Sequence, residues 1–106
     1  MMEQFGNLIE MIKKVQQNVE TAQEELRQER IEVSSGDVVK IVVNGQQDLV
    51  AIELNGKYLN SENAALLQDL LVATINNAIL KSRDLSQSSM AKMATELNLP
   101  KFPGLF

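Results

Sequence analysis

The stretch from Val38 to Leu54, VVKIVVNGQQDLVAIEL, most constrains what this chain can fold into. It reads as a β-hairpin, with two alternating runs joined at Asn44-Gly45. Glycine has no Cβ to clash at positive φ and asparagine tolerates the left-handed region, so this dipeptide suits a tight turn. Val39, Ile41 and Val43 fall on one face of the first run and Val38, Lys40 and Val42 on the other. In the second run Val50, Ile52 and Leu54 alternate with Leu49, Ala51 and Glu53, and Gln46-Gln47-Asp48 leaves room for a bulge. One face is wholly apolar and the other only half polar. A two-stranded ribbon of that kind does not stand alone in water. It calls for a helix on one face and a second subunit on the other.

The residues before the hairpin supply a helix. Phe5, Leu8, Ile12, Val15, Val19, Ala22 and Leu26 recur every three and four positions, an unbroken heptad seam. A helix over residues 1–30 is about 45 Å long, against about 25 Å for each strand that follows. One subunit's sheet cannot cover the seam, so part of it is expected on the second helix or on a partner. Residues 31–55 complete a three-stranded antiparallel meander, in which Ile31 and Val33 alternate with Glu32 and Ser34. Ser35-Gly36-Asp37 forms the first turn. Asn60-Ser61 then caps a second helix over 60–97, whose stripe runs from Leu67 to Leu85. The run Ser86-Gln87-Ser88-Ser89 weakens helix propensity and predicts a break near 86–89. The tail over 98–106 contains Pro100 and Pro103 and cannot be helical. The expected fold is α+β: one domain over 1–106, a helix, a three-stranded meander and a long helix with a short helical and Pro-rich extension.

Composition narrows the chemistry. Of 106 residues none is cysteine or histidine. Thiol chemistry, disulfides, Cys- or His-based metal sites and His-dependent triads are therefore excluded. No paired carboxylates fall in an expected cleft, and the Asn-Gly turn lacks the spacing of a phosphate loop. No catalytic residue, cofactor, metal or small-molecule substrate is expected. No apolar run approaches a membrane span, so no membrane partner is expected and a cytoplasmic location is.

Charge is unevenly spread. The net charge is −4, and Glu20 to Glu32 holds five acids against Arg27 and Arg30. Lys13, Lys14, Lys81, Arg83, Lys92 and Lys101 lie at the far ends of the helical regions, where acids are few. Such cations either solubilise the chain or, doubled in a dimer, meet phosphates without reading bases. Dimer contacts are expected at Val38, Val42, Leu49 and Ala51 on the sheet and at Leu8, Ile12 and Val15 on the seam. An acidic protein-interaction module of prefoldin-like plan is the alternative, suited by five methionines and an apolar tail.

Four stretches bear a family likeness: Asn7-Leu8 with Ala22 to Leu26, Val39 to Gly45, Asp69 to Ala78, and the ending Leu99 to Phe106. In that order the chain resembles the YbaB/EbfC nucleoid-associated proteins, small bacterial dimers that bind DNA. The resemblance implies a tweezer-shaped homodimer located on the nucleoid. It also implies DNA contacts on the helical arms, which would fall to Lys13, Lys14, Lys81, Arg83 and Lys92, with Lys101 in the tail. Glu10, Asn18 and Thr21 stand where members of the family commonly carry a base in the first helix.

Overall fold

β2, Val39–Val43, is the centre of the architecture, paired antiparallel on one side with β1, Ile31–Ser35, and on the other with β3, Leu49–Leu54. The computed structural model describes residues 2–96. Helix α1, Met2–Gln28, precedes this meander. Two 3-10 turns, Gly56–Tyr58 and Ser61–Asn63, lead into helix α2, Ala64–Glu96. The described chain is long and narrow, 74 × 23 × 16 Å.

The expected inner face of β2 is the core: Val39, Ile41 and Val43 are buried, with Val33 of β1 beside them. α2 lies across β1 and β2 and scarcely touches β3. Leu67, Leu70, Leu71, Thr74, Ile75 and Ala78 supply its packing face. A buried hydroxyl without a partner is costly, and Thr74 finds one in Ser35 of β1, 2.5 Å away. At the start of α2 the Asn60 side chain accepts from the Asn63 amide at 3.0 Å, the cap expected of it.

The outer face of the sheet is more polar than its alternation suggests. Lys40 lies 3.3 Å from Glu32 and 3.6 Å from Glu53, bridging all three strands. The hydrogen bond and charge of Glu32, then the charge of Glu53, hold the Lys40 ammonium above its ordinary pKa. Val42 and Ala51 are half-buried and pair with each other on this face. Val38 belongs elsewhere, since it stands before β2 and packs against the core.

Three expectations require correction. A bulge between Val42 and Val43 sets Leu49 opposite Val43 and leaves Val50 unpaired. Leu49 thus joins the inner face with Ile52 and Leu54, not Ala51 and Glu53. Gly45 does not carry the positive φ of the turn; Gln47 does, at 66°. What requires glycine at 45 is space: a Cβ there would sit 2.7 Å from the Leu26 carbonyl oxygen and 2.9 Å from its Cδ2. Finally, α2 is continuous through 86–89. Each serine gives up roughly 0.5 kcal/mol of helix propensity, whereas burying a side chain such as Met93 returns about 1.5–3 kcal/mol. Met93 and Ala94 are both buried, and their packing carries the helix through.

Candidate nucleic-acid interface

The loop Asn44–Asp48 joins an arm to the sheet. Asn44 folds the loop on itself: its Oδ1 accepts from the amides of Gln46 at 2.8 Å and Asp48 at 3.0 Å, and its Nδ2 donates to Asp48 Oδ2 at 3.0 Å. The folded loop then grips both helices. The Gly45 amide donates to the Leu26 carbonyl at 2.7 Å, and Gln46 Nε2 to the Gln23 carbonyl at 3.0 Å. Ser82, fully buried on α2, donates to the Asn44 carbonyl at 2.6 Å and accepts from the Gln47 amide at 3.1 Å. This latch fixes the end of α1 and the middle of α2 on one point of the sheet. Periodicity places Ser82 on the inward stripe, but its role is visible only once the loop is folded. The available signal is a hydroxyl on an otherwise apolar face, which demands a partner.

Beyond the latch the two helices run antiparallel. Residues Asn18 to Glu25 of α1 and Ser89 to Glu96 of α2 line a shallow groove between them. Along the seam of α1 burial fades outward from the latch. Leu26 is buried, Ala22, Val19 and Val15 are half-buried, and Ile12 and Leu8 are more than half exposed.

The cations proposed to contact DNA occupy this arm. Lys13 and Lys14 sit on the outer half of α1, Lys81 and Arg83 on α2 beside the latch, and Lys92 in the groove with Glu25 and Glu96. All five are exposed. Lys81 and Lys92 are about three turns apart and share a side of α2, while Arg83 is turned nearly opposite. The residues are brought to one arm, not to one patch. Lys101 lies outside the described residues.

The remaining bases on α1 and the sheet are engaged. Arg27 makes two hydrogen bonds to Glu24, at 3.0 and 2.6 Å. The Arg27 hydrogen bond, and then that of Gln28, pull the Glu24 carboxyl below its ordinary pKa. Arg30 donates to the carbonyls of Arg27 and Glu29, covering the open end of α1. Lys40 bridges Glu32 and Glu53. Among the described residues none of the five arm cations lies within ion-pair distance of a carboxylate. Glu10, Glu20, Glu24 and Glu25 of α1 are exposed, as are Asn76 and Asn77 on α2. No group of three or more metal-binding side chains occurs among the described residues, and no described helix is long and apolar enough to cross a membrane.

Two long helices on a three-stranded meander, with cations carried exposed on the helical arm, define a small α+β protein that presents helical surface. The chain belongs to the YbaB/EbfC DNA-binding family, whose model matches residues 1–97. It is 36% identical over 103 residues to a nucleoid-associated protein of Syntrophobacter fumaroxidans, covering 94% of each chain. It is 38% identical over 102 residues to one of Moorella thermoacetica, covering 92% of this chain and 98% of that one. To a nucleoid-associated protein of Thermoanaerobacter pseudethanolicus it is 36% identical, over 96% of this chain and 90% of the relative. The family resemblance drawn from the sequence therefore stands.

Proposed function

We propose that this protein is a nucleoid-associated, DNA-binding homodimer of the bacterial cytoplasm that holds duplex DNA through its phosphates with little regard to sequence. The observation that carries the reading is the division among the bases of a member of a DNA-binding family. Arg27, Arg30 and Lys40 are engaged in the fold, whereas Lys13, Lys14, Lys81, Arg83 and Lys92 stand exposed on the arm without a carboxylate partner among the described residues. Cations spread along an arm suit a backbone that offers charge at every step. They do not suit base edges, which require several donors converging on one place. The protein acts by holding DNA and needs no cofactor.

The prefoldin-like alternative requires both helices to pair along their whole length. α2 instead commits its first half, Leu67 to Ala78, to the sheet.

Fluorescence anisotropy of a labelled duplex across a salt series tests the proposal. Log affinity should fall against log salt with a slope of about −3 to −5, since each neutralised phosphate contributes about −0.9. Lys13→Glu with Lys14→Glu should flatten that slope, and changing the duplex sequence should leave it unaltered. Absence of binding at low salt, or an affinity indifferent to salt, would overturn the mechanism.

A further inference from the structure

The seam of α1 outlasts the helix that covers it. α2 runs outward antiparallel to α1, and the groove between them ends at Glu96 on one side and Asn18 on the other. Beyond that level the seam is open. Leu8 and Ile12, the next seam positions after Val15, are 52% and 53% exposed, with Ile9 and Met11 at 53% and 58%. At about 100° per residue these four share one broad face, Ile9 on one side of the seam and Met11 on the other. They leave on the order of 300 Å² of contiguous apolar surface, a size at which a patch on a soluble chain marks a contact site.

The sequence supplies an occupant where α2 leaves off. Residues 97–106, LNLPKFPGLF, lie outside the described residues and follow Glu96 directly, where α2 is heading outward along α1. Pro100 and Pro103 fix their own φ and push Leu99 and Phe102 before them into the extended region. A polyproline II strand has about three residues per turn. Leu99, Phe102 and Leu105 then share one edge, Pro100, Pro103 and Phe106 a second, and Asn98, Lys101 and Gly104 the third. Two edges are apolar, and the third carries the only charge of the segment. At about 3.1 Å per residue Leu99 to Leu105 covers about 19 Å, while α1 from Asn18 out to Leu8 covers about 15 Å. The two lengths match.

We infer that residues 97–106 pack as an extended strap along the outer half of α1 of their own subunit, with Leu99, Phe102 and Leu105 on the seam at Val15, Ile12 and Leu8 and Lys101 facing water. The strap takes over the seam from α2. It assigns Leu8 and Ile12, expected in a dimer contact, to a contact within one chain. A segment tethered at Glu96 meets this face at an effective concentration of about millimolar, an advantage that no separate copy or partner has. The strap requires neither DNA nor a dimer.

Because the chain has no cysteine, a nitroxide on Lys101→Cys, at the outward edge, tests this in the full chain by paramagnetic broadening of amide signals. The α1 amides from Ile9 to Val15 should broaden, and those from Leu66 to Leu71, at the far end of α2, should not. Nitroxide-bearing chains refolded together with isotope-labelled chains lacking the nitroxide should leave the α1 signals of the latter sharp. Broadening there would place the tail on another copy and overturn the intrachain strap, as would unbroadened α1 amides in the first sample. Hydrogen exchange gives a second reading. Phe102→Asp with Leu105→Asp should quicken exchange from Ile9 to Val15 by at least about tenfold and leave the Gly45 and Gln47 amides of the latch unaltered, whereas Lys101→Ala should change neither. Equal rates in the wild type and the double variant refute the packing.

Discussion

Ser82→Ala is the sharpest test of the latch that holds the arm to the sheet. The change removes one oxygen from a fully buried site, where it donates at 2.6 Å to the Asn44 carbonyl and accepts from the Gln47 amide and Nε2, each at 3.1 Å. Gln47 Nε2 keeps the Gly45 carbonyl at 3.0 Å and loses little. The Asn44 carbonyl and Gln47 amide have only each other, at 3.4 Å, which is too long to replace what was removed. A buried backbone group left unsatisfied costs about 1–3 kcal/mol. With two such groups partly compensating, the expected loss is about 2–3 kcal/mol, against a total stability of about 5–15 kcal/mol for a domain of this size. Urea unfolding at fixed protein concentration should show the midpoint falling by about 1–2 M with the slope unchanged. Hydrogen exchange at the Gln47 amide should quicken by about 30-fold or more. A shift below about 0.5 kcal/mol would refute the reasoning and make the latch a consequence of the packing around it.

Gly45→Ala should destabilise by about 2–4 kcal/mol in the same assay, since the new methyl meets Leu26 backbone that cannot turn aside and lengthens the 2.7 Å bond to its carbonyl. Gly6→Ala, where nothing lies within 4 Å, should be neutral or slightly stabilising. Lys40 gives a pH dependence. Its folded pKa is raised, so its contribution is complete at lower pH and is lost as pH rises through the raised value. Unfolding followed from pH 9 to 12 should show stability falling more steeply in the wild type than in Lys40→Gln, and parallel curves would show that the bridge has no weight in solution.

The parts of this fold legible in the sequence are those set by near neighbours along the chain. Period-two alternation fixed which side of β2 faces inward, and heptad spacing fixed α1. The Asn60 cap was readable because its partner, the Asn63 amide, is close in sequence. What escaped depends on contacts between distant residues. Gly45 looked like a turn glycine because its spatial constraint, Leu26, belongs to another element. Leu49 changed faces because the bulge depends on how Asn44 closes the loop with Asp48. The serines at 86, 88 and 89 look like a break until Met93 and Ala94 have α1 to pack against. Of the candidate site, the sequence identified the arm cations by type and region. That Arg27 and Arg30 are spent within α1 required the side-chain geometry.

An acidic chain can hold a polyanion only if its excess charge is kept from the contact, and this fold separates the two. Near the latch the acids of α1 are partly balanced in place, with Glu24 bound by Arg27 and the carbonyl end covered by Arg30. On the sheet Lys40 is held by Glu32 and Glu53. Those bases cannot reach a ligand without breaking existing bonds. Among the described residues the cations without such bonds are the five on the arm and Lys57, which lies 5.9 Å from the Tyr58 ring, and at an ionic strength of 0.15 M fields are screened within about 8 Å. A phosphate beside the outer half of α1 therefore responds to Lys13 and Lys14 and to Glu10, one turn away, more than to Glu24 and Glu25, about 15 Å along the helix, so two cations face one acid there. The net charge of −4 then governs long-range approach, slowing it at low salt, while the local field of the arm governs the contact itself. Raising salt weakens both effects. The association rate should accordingly vary less with salt than the dissociation rate, the reverse of a uniformly basic DNA-binding protein.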